Sequence, residues 1–380
     1  MIKTIKYFLK KKYLFMGIAT AVLLLISFST FHSKSFIAQY SRYDKVLEDH
    51  IWIKGPADLN LNFLWFGAIV LCLIVPILDF SFKMKKIHID QMYSLPIKRE
   101  KLYLAKFIVG FISILIPITI VFIDVVINVA FAEHMYEMIY FLPFYFAIVF
   151  SMLILYSTTC FYYTRANTIV DGIFNIAAIM LAGCLFMGVL EETFHIGDPI
   201  SNMPWYPIYW VNNFFEVKLR EAHMPLELDY KLTYDNMPYN YFGLGMMTLL
   251  GIASFVLFVY LNKKEKAENS MQVSSSWFSY KFFIPFYMGF LIMYLILQSA
   301  QFITIILVTI AAYVGYIIFR RTVKIKKIDY IVLASCFVLA IILGLVCDYI
   351  ENLSVAKWDD HYGLPINFSI ILGNLFLWKK

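Results

Sequence analysis

Residues 138–163 read MIYFLPFYFAIVFSMLILYSTTCFYY, and none of these 26 residues carries a charge. A helix needs about 20 mainly apolar residues to cross the hydrocarbon core of a bilayer, so this stretch is long enough to span a membrane. Similar apolar runs lie on either side of it, at residues 13–31, 61–78, 107–123, 172–190, 241–261, 282–297, 302–319 and 331–347. The sequence therefore predicts an all-α integral membrane protein, a polytopic bundle of nine or ten transmembrane helices.

The composition supports this fold class. Hydrophobic residues make up 61% of the chain and charged residues 15%, whereas soluble domains carry about 25% charged residues. The five cysteines all fall inside apolar runs and lack the spacing of a metal site or of a C-x-x-C motif. We therefore expect neither a metal site nor a disulfide framework.

Two apolar segments near the ends of the chain leave alternatives open. The run at 13–31 follows a basic segment, as in a signal peptide, but it is long for one and no A-x-A-like site follows. We expect it to be a retained first helix. The segment at 364–378 has 15 residues, about 22 Å as a helix, so it either spans the membrane as a tenth helix or lies half-buried at the interface.

The charges of the loops predict the orientation. If the N-terminus is cytoplasmic and each run crosses once, the inner loops sum to +17 and the outer loops to −10. This asymmetry agrees with the positive-inside rule. We therefore expect a multi-pass protein of the cell (plasma) membrane with a cytoplasmic N-terminus. The net charge of +6 then reflects topology and contact with anionic lipid headgroups, not nucleic-acid binding.

The first twelve residues have an amphipathic pattern. Ile2, Ile5 and Phe8 share a stripe that alternates with lysines, as in an interfacial helix that lies in the headgroup plane. The alternative is a basic flank that only sets the topology.

The inner loop at 83–106 is strongly basic and contains Pro96. A proline forces the preceding residue, Leu95, into an extended conformation and suits the first turn of a new helix. We therefore expect a short helix at about 85–93 that turns sharply into the third span, forming a rigid basic elbow. The alternative is a solvated basic face that only obeys the topology rule.

Residues 93–106 read YSLPIKREKLYLAK. This run resembles the S-L-P-[IV]-x-R-x-x-[LI] segment that follows the second helix in ABC-2-type exporter permeases of Gram-positive bacteria. The resemblance implies that the segment lies by a coupling helix that docks on a separate ATPase subunit. The residues that it places in this coupling role are Tyr93, Leu95, Pro96, Lys98, Arg99 and Lys101.

The same resemblance implies a domain plan. Residues 13–270 would form a six-helix permease core, with an outer stretch at 191–240 and a tail, KAENS at 266–270, similar to the segment that closes that core. Residues 271–380 would add three or four helices. The implied partners are an ABC ATPase subunit and a second permease subunit, identical or different. The substrate stays open among amphipathic peptides, peptide antibiotics and lipids.

The chain has no G-x-x-x-x-G-K-[ST] segment, the loop that cradles nucleotide phosphates. We therefore expect no cofactor in this chain, with ATP and Mg²⁺ bound by the partner ATPase subunit. The chain would be a transport subunit and not an enzyme.

Some polar residues fall within or at the ends of the apolar runs. Intramembrane carboxylates are costly and are functional candidates by default. The alternative is that Asp79 and Asp171 pair with Arg165 or Lys83 near the interface. A proton-driven secondary carrier would place such groups at the midplane, and none of the acids is at the centre of its run. The candidate intramembrane polar residues are Asp79, Asp124, Asp171 and Asn175.

The outer stretch is rich in aromatic residues, which favour the membrane interface. Residues 206–215 either form a surface or re-entrant helix that gates the outer mouth or belong to an ordinary aromatic belt. The gate candidates are Trp205, Tyr206, Tyr209 and Trp210.

A membrane enzyme is the third alternative, after the secondary carrier. Glu191, Glu192 and His195 resemble the E-E-x-x-x-R motif of intramembrane CAAX-type proteases, in which a glutamate activates a water. Ile196 stands where the motif has arginine. No H-E-x-x-H spacing is present either, so the sequence names no catalytic or metal-binding residues.

Overall fold

The computed structural model describes residues 2–31, 37–44, 49–56, 61–131, 136–194, 203–221, 241–263, 268, 271–274, 276–322 and 326–358. Within this part of the chain, nine helices are long and apolar enough to cross a membrane. They coincide with the nine apolar runs of the sequence. The predicted multi-pass helical bundle is thus confirmed as a fold class, and residues 359–380, with the candidate tenth helix, lie outside the described part.

The helices follow one another as α1 to α11. The first five are α1 (Ile2–Phe31), α2 (Asn62–Phe80), α3 (Lys86–Tyr93), α4 (Arg99–Ala130) and α5 (Phe141–Thr164). The next six are α6 (Ile169–Phe194), α7 (Tyr206–Glu221), α8 (Tyr241–Asn262), α9 (Tyr280–Leu297), α10 (Phe302–Arg320) and α11 (Lys327–Trp358). Short 3₁₀ turns at Ser81–Met84 and Met138–Tyr140 follow α2 and precede α5. The nine membrane-length helices are all of these except α3 and α7.

Two features differ from the expectations above. The first helix is continuous from Ile2 to Phe31, so residues 2–12 are the first third of α1 and not a separate interfacial helix. In addition, β1 (Ile37–Asp44) and β2 (Asp49–Pro56) pair as an antiparallel hairpin between α1 and α2. The β-branched and aromatic run at 51–53 favours a strand, which explains this departure from an all-α chain.

The buried residues form two large apolar clusters. One is built mainly from α2, α4, α5, α6, α7 and α8, and the other from the end of α6 with α9, α10 and α11. The α6 helix contacts both α5 and α9 and so joins the two clusters. Small residues allow close approach: a Cβ on Gly251 of α8 would lie 2.4 Å from Ile154 Cγ2 of α5.

One end of the bundle gathers basic residues, and we call it the basic end. The α2–α4 connection, the α5–α6 turn, the end of α8 and the α10–α11 turn all lie there. Three contacts show this arrangement: Lys83 Nζ donates to the Thr164 carbonyl at the end of α5, Arg165 Nη2 donates to Asn262 Oδ1 at the end of α8, and the Phe319 ring at the end of α10 contacts the Phe174 ring near the start of α6. The helices therefore alternate in direction across the bundle.

Candidate functional site

The predicted short helix before Pro96 is present as α3 at the basic end. Its apolar residue Ile89 is 1% exposed and anchors it to the bundle, whereas Ile87 is 75% exposed on the opposite side. The chain then turns through Pro96 and enters α4 at Arg99, three residues later than the proline itself suggested. The result is a short, largely exposed helix joined by a tight turn to a 32-residue span.

Local contacts hold this elbow in place. The hydroxyls of Tyr93 and Tyr103 lie 3.1 Å apart, which ties the end of α3 to the second turn of α4. The Arg99 guanidinium lies 4.6 Å from the centroid of the Tyr93 ring, a cation–π distance. Of the six residues proposed for coupling, only Tyr93 is half-buried, and Leu95, Pro96, Lys98, Arg99 and Lys101 are exposed. The elbow therefore presents both charge and apolar surface.

A buried charge cluster lies just inside this elbow and links three helices. Lys12 Nζ of α1 lies 2.5 Å from Asp79 Oδ2 of α2, and Lys106 Nζ of α4 donates to the Asp79 carbonyl at 2.9 Å. The Lys106 ammonium also lies 4.0 Å from the centroid of the Phe82 ring. Asp79 and Lys106 are both buried, and two ammonium groups meet Asp79, one at its carboxylate and the other at its backbone carbonyl.

The α5 helix approaches the same carboxylate. A Cβ on Gly110 of α4 would lie 2.4 Å from Asp79 Oδ2 and 1.9 Å from the Tyr156 hydroxyl oxygen. Only glycine leaves room for this crossing. The Tyr156 hydroxyl is fully buried and makes no hydrogen bond of good geometry within the described chain. The cluster thus brings together Lys12, Asp79, Lys106, Gly110 and Tyr156.

The predicted pairing of Asp79 with Lys83 or Arg165 is wrong. Lys83 follows Asp79 by four residues, but the 3₁₀ turn after α2 breaks the helical spacing, and Lys83 turns to the Thr164 carbonyl instead. Arg165 contacts Asn262, and its own carbonyl accepts from Ser274 Oγ at 2.8 Å. The basic end is therefore held by two separate polar clusters.

The other polar candidates lie apart from this cluster. Asp124 accepts a hydrogen bond from Ser27 Oγ at 2.8 Å, near the opposite end of α1 and α4. Asn175 is fully buried, donates to the Tyr162 carbonyl and accepts from Ser279 Oγ, both at 3.3 Å, so it ties α6 to α5 and α9. Asp171 lies in the first turn of α6 and makes no ion pair with any residue that the structure describes.

The aromatic gate candidates lie at the opposite end of the bundle. Trp205 and the helix α7 pack against α2, α5 and α8, and the Trp205 ring stacks on Trp65 with centroids 6.1 Å apart. Tyr209 meets Trp65 edge-on, and Tyr206 is 1% exposed. Trp210 stacks on Phe214. A helix at 206–215 was one of the two alternatives for this stretch, and a helix is present at Tyr206–Glu221, but a gating role stays a prediction.

The residues of the enzyme alternative are not brought together by the described structure. Glu192 Oε1 accepts a hydrogen bond from Gln298 Nε2 at 2.8 Å. His195 and the Glu191 side chain lie outside the described residues. Across the part of the chain that the structure describes, no group of three or more His, Cys, Asp or Glu side chains is placed to hold a metal ion.

Sequence reasoning missed the partners of Asp79. Lys12 and Lys106 were counted as loop charges, although both lie on helices whose apolar runs start at the next residue. That adjacency was the available signal, because a lysine at the edge of an apolar run is drawn into the bundle when a carboxylate faces it.

Comparison of the chain with family models, with curated proteins and with solved structures found no match.

Proposed function

We propose that this chain is the membrane-spanning permease subunit of an ATP-driven ABC-2-type exporter, coupled to a separate ATPase subunit that binds ATP and Mg²⁺. The observation that carries the proposal is the elbow at the basic end. The α3 helix is largely exposed, yet it is anchored through Ile89 and joined by a tight turn to a membrane-spanning helix. A subunit that pushes on α3 would therefore move α4.

The surface of the elbow suits a protein partner. Its exposed cations would steer a partner with an acidic docking face, since charge at an interface mainly sets encounter rate and register. Ile87, which is 75% exposed, would supply apolar contact at the centre of the patch. The exposed cations are Lys85, Lys86, Lys98, Arg99 and Lys101.

The buried charge cluster extends the path from α3 into the bundle. Lys106 lies seven residues, about two turns, beyond the start of α4 and contacts the Asp79 carbonyl of α2, while Lys12 of α1 pairs with the Asp79 side chain. A movement of α4 would therefore shift α1 and α2 together. In the proposed assembly, two permease subunits in the cell membrane carry their basic ends on the cytoplasmic side, where the ATPase subunits bind.

An ion-coupled secondary carrier is the second candidate, and Asp79 favours it. A buried carboxylate that pairs with a lysine is a candidate site of proton exchange in a membrane protein. Its position counts against a midplane site, because Asp79 is the second-last residue of α2. Substrate efflux that depends on ATP, and that persists when the proton gradient is collapsed, would distinguish the exporter from the carrier.

The test is recovery of an ATPase partner. The tagged chain is purified from its native membranes in mild detergent, and co-purifying proteins are identified by mass spectrometry. We expect a stoichiometric protein with a Walker A loop, and ATP turnover that is lost when it is removed. Recovery of the chain without any such protein, together with ATP-independent transport in vesicles, would overturn the proposal.

Elbow variants make the test specific to the proposed surface. Ile87→Ser and Lys101→Glu should reduce recovery of the ATPase subunit, with the Lys101→Glu effect depending on salt. Met271→Ser is the matched control, because Met271 is 58% exposed near the α5–α6 turn but lies off the elbow. Pro96→Ala should preserve assembly and lower the substrate transported per ATP. Equal assembly and transport by all four variants would show that α3 does not couple to a partner and that its basic charges only set the membrane topology.

A further inference from the structure

A half-open cavity of about 580 Å³ lies between α9 and α10 and is bounded at the basic end by the first turn of α6. Its volume lies in the range of small-molecule sites, about 300–1,000 Å³. From Val308 to Phe319 it extends along α10 for about 16 Å at the helical rise of 1.5 Å per residue. The α10 helix packs on α9 but not closely on α6, which leaves this space open.

The two ends of the cavity differ in chemistry. The deep end, toward the middle of the membrane, is aliphatic, with Leu291 of α9 and Val308 of α10. The basic end carries the aromatic rings of Phe174, Phe283 and Phe319, and the Phe174 and Phe319 rings contact each other with centroids 4.6 Å apart. A molecule that fits the cavity would therefore place an apolar body inward and its other end among aromatic rings.

Asp171 is the only charged side chain among the described residues that line this cavity. It stands in the first turn of α6, where the positive end of the helix dipole stabilises a carboxylate. It makes no ion pair with any residue that the structure describes. The nearby Arg320 does not supply a counter-charge, because it pairs with Asp329. The cavity therefore offers an anionic group at its aromatic end.

The aromatic rings strengthen the preference for positive charge. The face of an aromatic ring attracts a cation, because the ring carries partial negative charge on its faces. Tyr287 lines the cavity while its hydroxyl donates to the Ala178 carbonyl at 2.6 Å, so its polar end is already bonded. A carboxylate beside several aromatic rings is complementary to a hydrophobic cation, and it disfavours an anion.

We propose that this cavity binds a hydrophobic cation, with the positive group beside Asp171 and the apolar body between α9 and α10. The proposal deepens the proposed export function, on which its biological meaning rests, by naming the substrate class as amphipathic cations. A bilayer lipid tail would satisfy the aliphatic end of the cavity alone and would make no use of the carboxylate. Binding that depends on charge therefore separates the two occupants.

The experiment measures equilibrium binding of radiolabelled tetraphenylphosphonium to the purified chain in phosphatidylcholine nanodiscs, with empty nanodiscs as the blank. Tetraphenylborate has nearly the same size and shape but the opposite charge, and it is measured in separate samples. We expect saturable binding of the cation at one site per chain and no saturable binding of the anion. The assay contains no ATPase subunit, so its result is independent of the exporter assignment.

Two kinds of variant locate the site. Asp171→Asn should weaken cation binding by about tenfold or more, because the amide removes the charge attraction, and Asp171→Glu should largely retain it. Ala311→Trp should block the cavity, whereas Ala334→Trp, on the exposed face of α11, should not. Because Ala311→Trp keeps the carboxylate, it decides the question even where Asp171→Asn folds poorly.

Three results would overturn the proposal. They are the absence of binding above empty nanodiscs, equal saturable binding of the cation and the anion, and undiminished cation binding by folded Asp171→Asn and Ala311→Trp. Folding is checked for each variant by size-exclusion chromatography and thermal unfolding. A chain that binds the cation but recovers no ATPase partner would retain the site and lose the exporter assignment, so the two failures are distinguishable.

Discussion

Lys12 and Asp79 form an ion pair with a separation of 2.5 Å, which ties the first helix of the chain to the second. Both side chains are largely buried, with 16% and 7% of their surface exposed. Lys106 of α4 closes the cluster through the Asp79 carbonyl. Because Lys12 contacts the carboxylate of Asp79 and Lys106 its backbone carbonyl, the three residues are not equivalent.

The different roles of Lys12, Asp79 and Lys106 give the first prediction. Removing one partner of a buried ion pair costs about 3–5 kcal/mol, because the other charge is left uncompensated. Asp79→Asn leaves Lys12 without its ion-pair partner and removes the negative charge near Lys106, whereas Lys12→Met leaves Asp79 close to Lys106. We therefore expect Asp79→Asn to destabilise the chain more than Lys12→Met, as measured by denaturant unfolding of the detergent-solubilised protein.

The surface pair Lys263–Glu100 supplies the control for this series. Its atoms are 3.2 Å apart, but the side chains are 61% and 42% exposed. Exposed ion pairs contribute about 0–1 kcal/mol, so Lys263→Met should be nearly neutral. Equal losses for Asp79→Asn and Lys12→Met would show that Lys106 does not compensate the charge of Asp79.

The spans of this fold were predictable because apolar length is a local property of the chain. Each apolar run of the sequence is found within a membrane-length helix, and the short helix before Pro96 was predicted to within one residue. The apolar pattern alone nevertheless underestimates the length of some helices. The run at 107–123 belongs to α4, which begins at Arg99, because the charged first turns continue the same helix beyond the apolar part.

The pairing of the polar residues was not predictable, because it depends on which helices pack together. Asp79 and Lys83 have the i, i+4 spacing of a helical pair, and the 3₁₀ turn after α2 removes that geometry. Lys12 is 67 residues from Asp79 in sequence and reaches it only because α1 packs on α4 and α2. The cavity beside Asp171 was unpredictable for the same reason, since α6 is distant in sequence from α9 and α10.

Gly110 provides the second prediction. A Cβ at this position would lie 1.9 Å from the Tyr156 hydroxyl oxygen and 2.4 Å from Asp79 Oδ2, so either these side chains or helix α4 must shift in Gly110→Ala. Overpacking of this kind costs about 1–3 kcal/mol. We expect a lower free energy of unfolding, measured by denaturant unfolding in detergent. We also expect a weaker response of α1 to movement of α4.

Matched variants distinguish the steric overlap at Gly110 from a general effect of replacing a helical glycine by alanine. Gly245 of α8 has no atom within 4 Å of an added Cβ, so Gly245→Ala should be neutral or stabilising by up to about 1 kcal/mol. Adding Tyr156→Phe to Gly110→Ala removes one of the two overlapping oxygens and should restore part of the lost stability. Identical behaviour of Gly110→Ala and Gly245→Ala would contradict the close crossing of α4 and α5.

The final prediction concerns orientation, on which the exporter assignment depends. Ser94 is exposed at the basic end, after α3, and Ser299 is exposed at the opposite end, between α9 and α10. Each is replaced by cysteine in a background without the five native cysteines. If the basic end is cytoplasmic, as the positive-inside rule predicts, an impermeant maleimide added to intact cells should label Ser299→Cys and not Ser94→Cys.

Permeabilised cells should show labelling of both, which confirms that each thiol is accessible. The opposite pattern in intact cells would place α3 outside the cell, where no ATP-hydrolysing partner could reach it, and would remove the physical basis for coupling through the elbow.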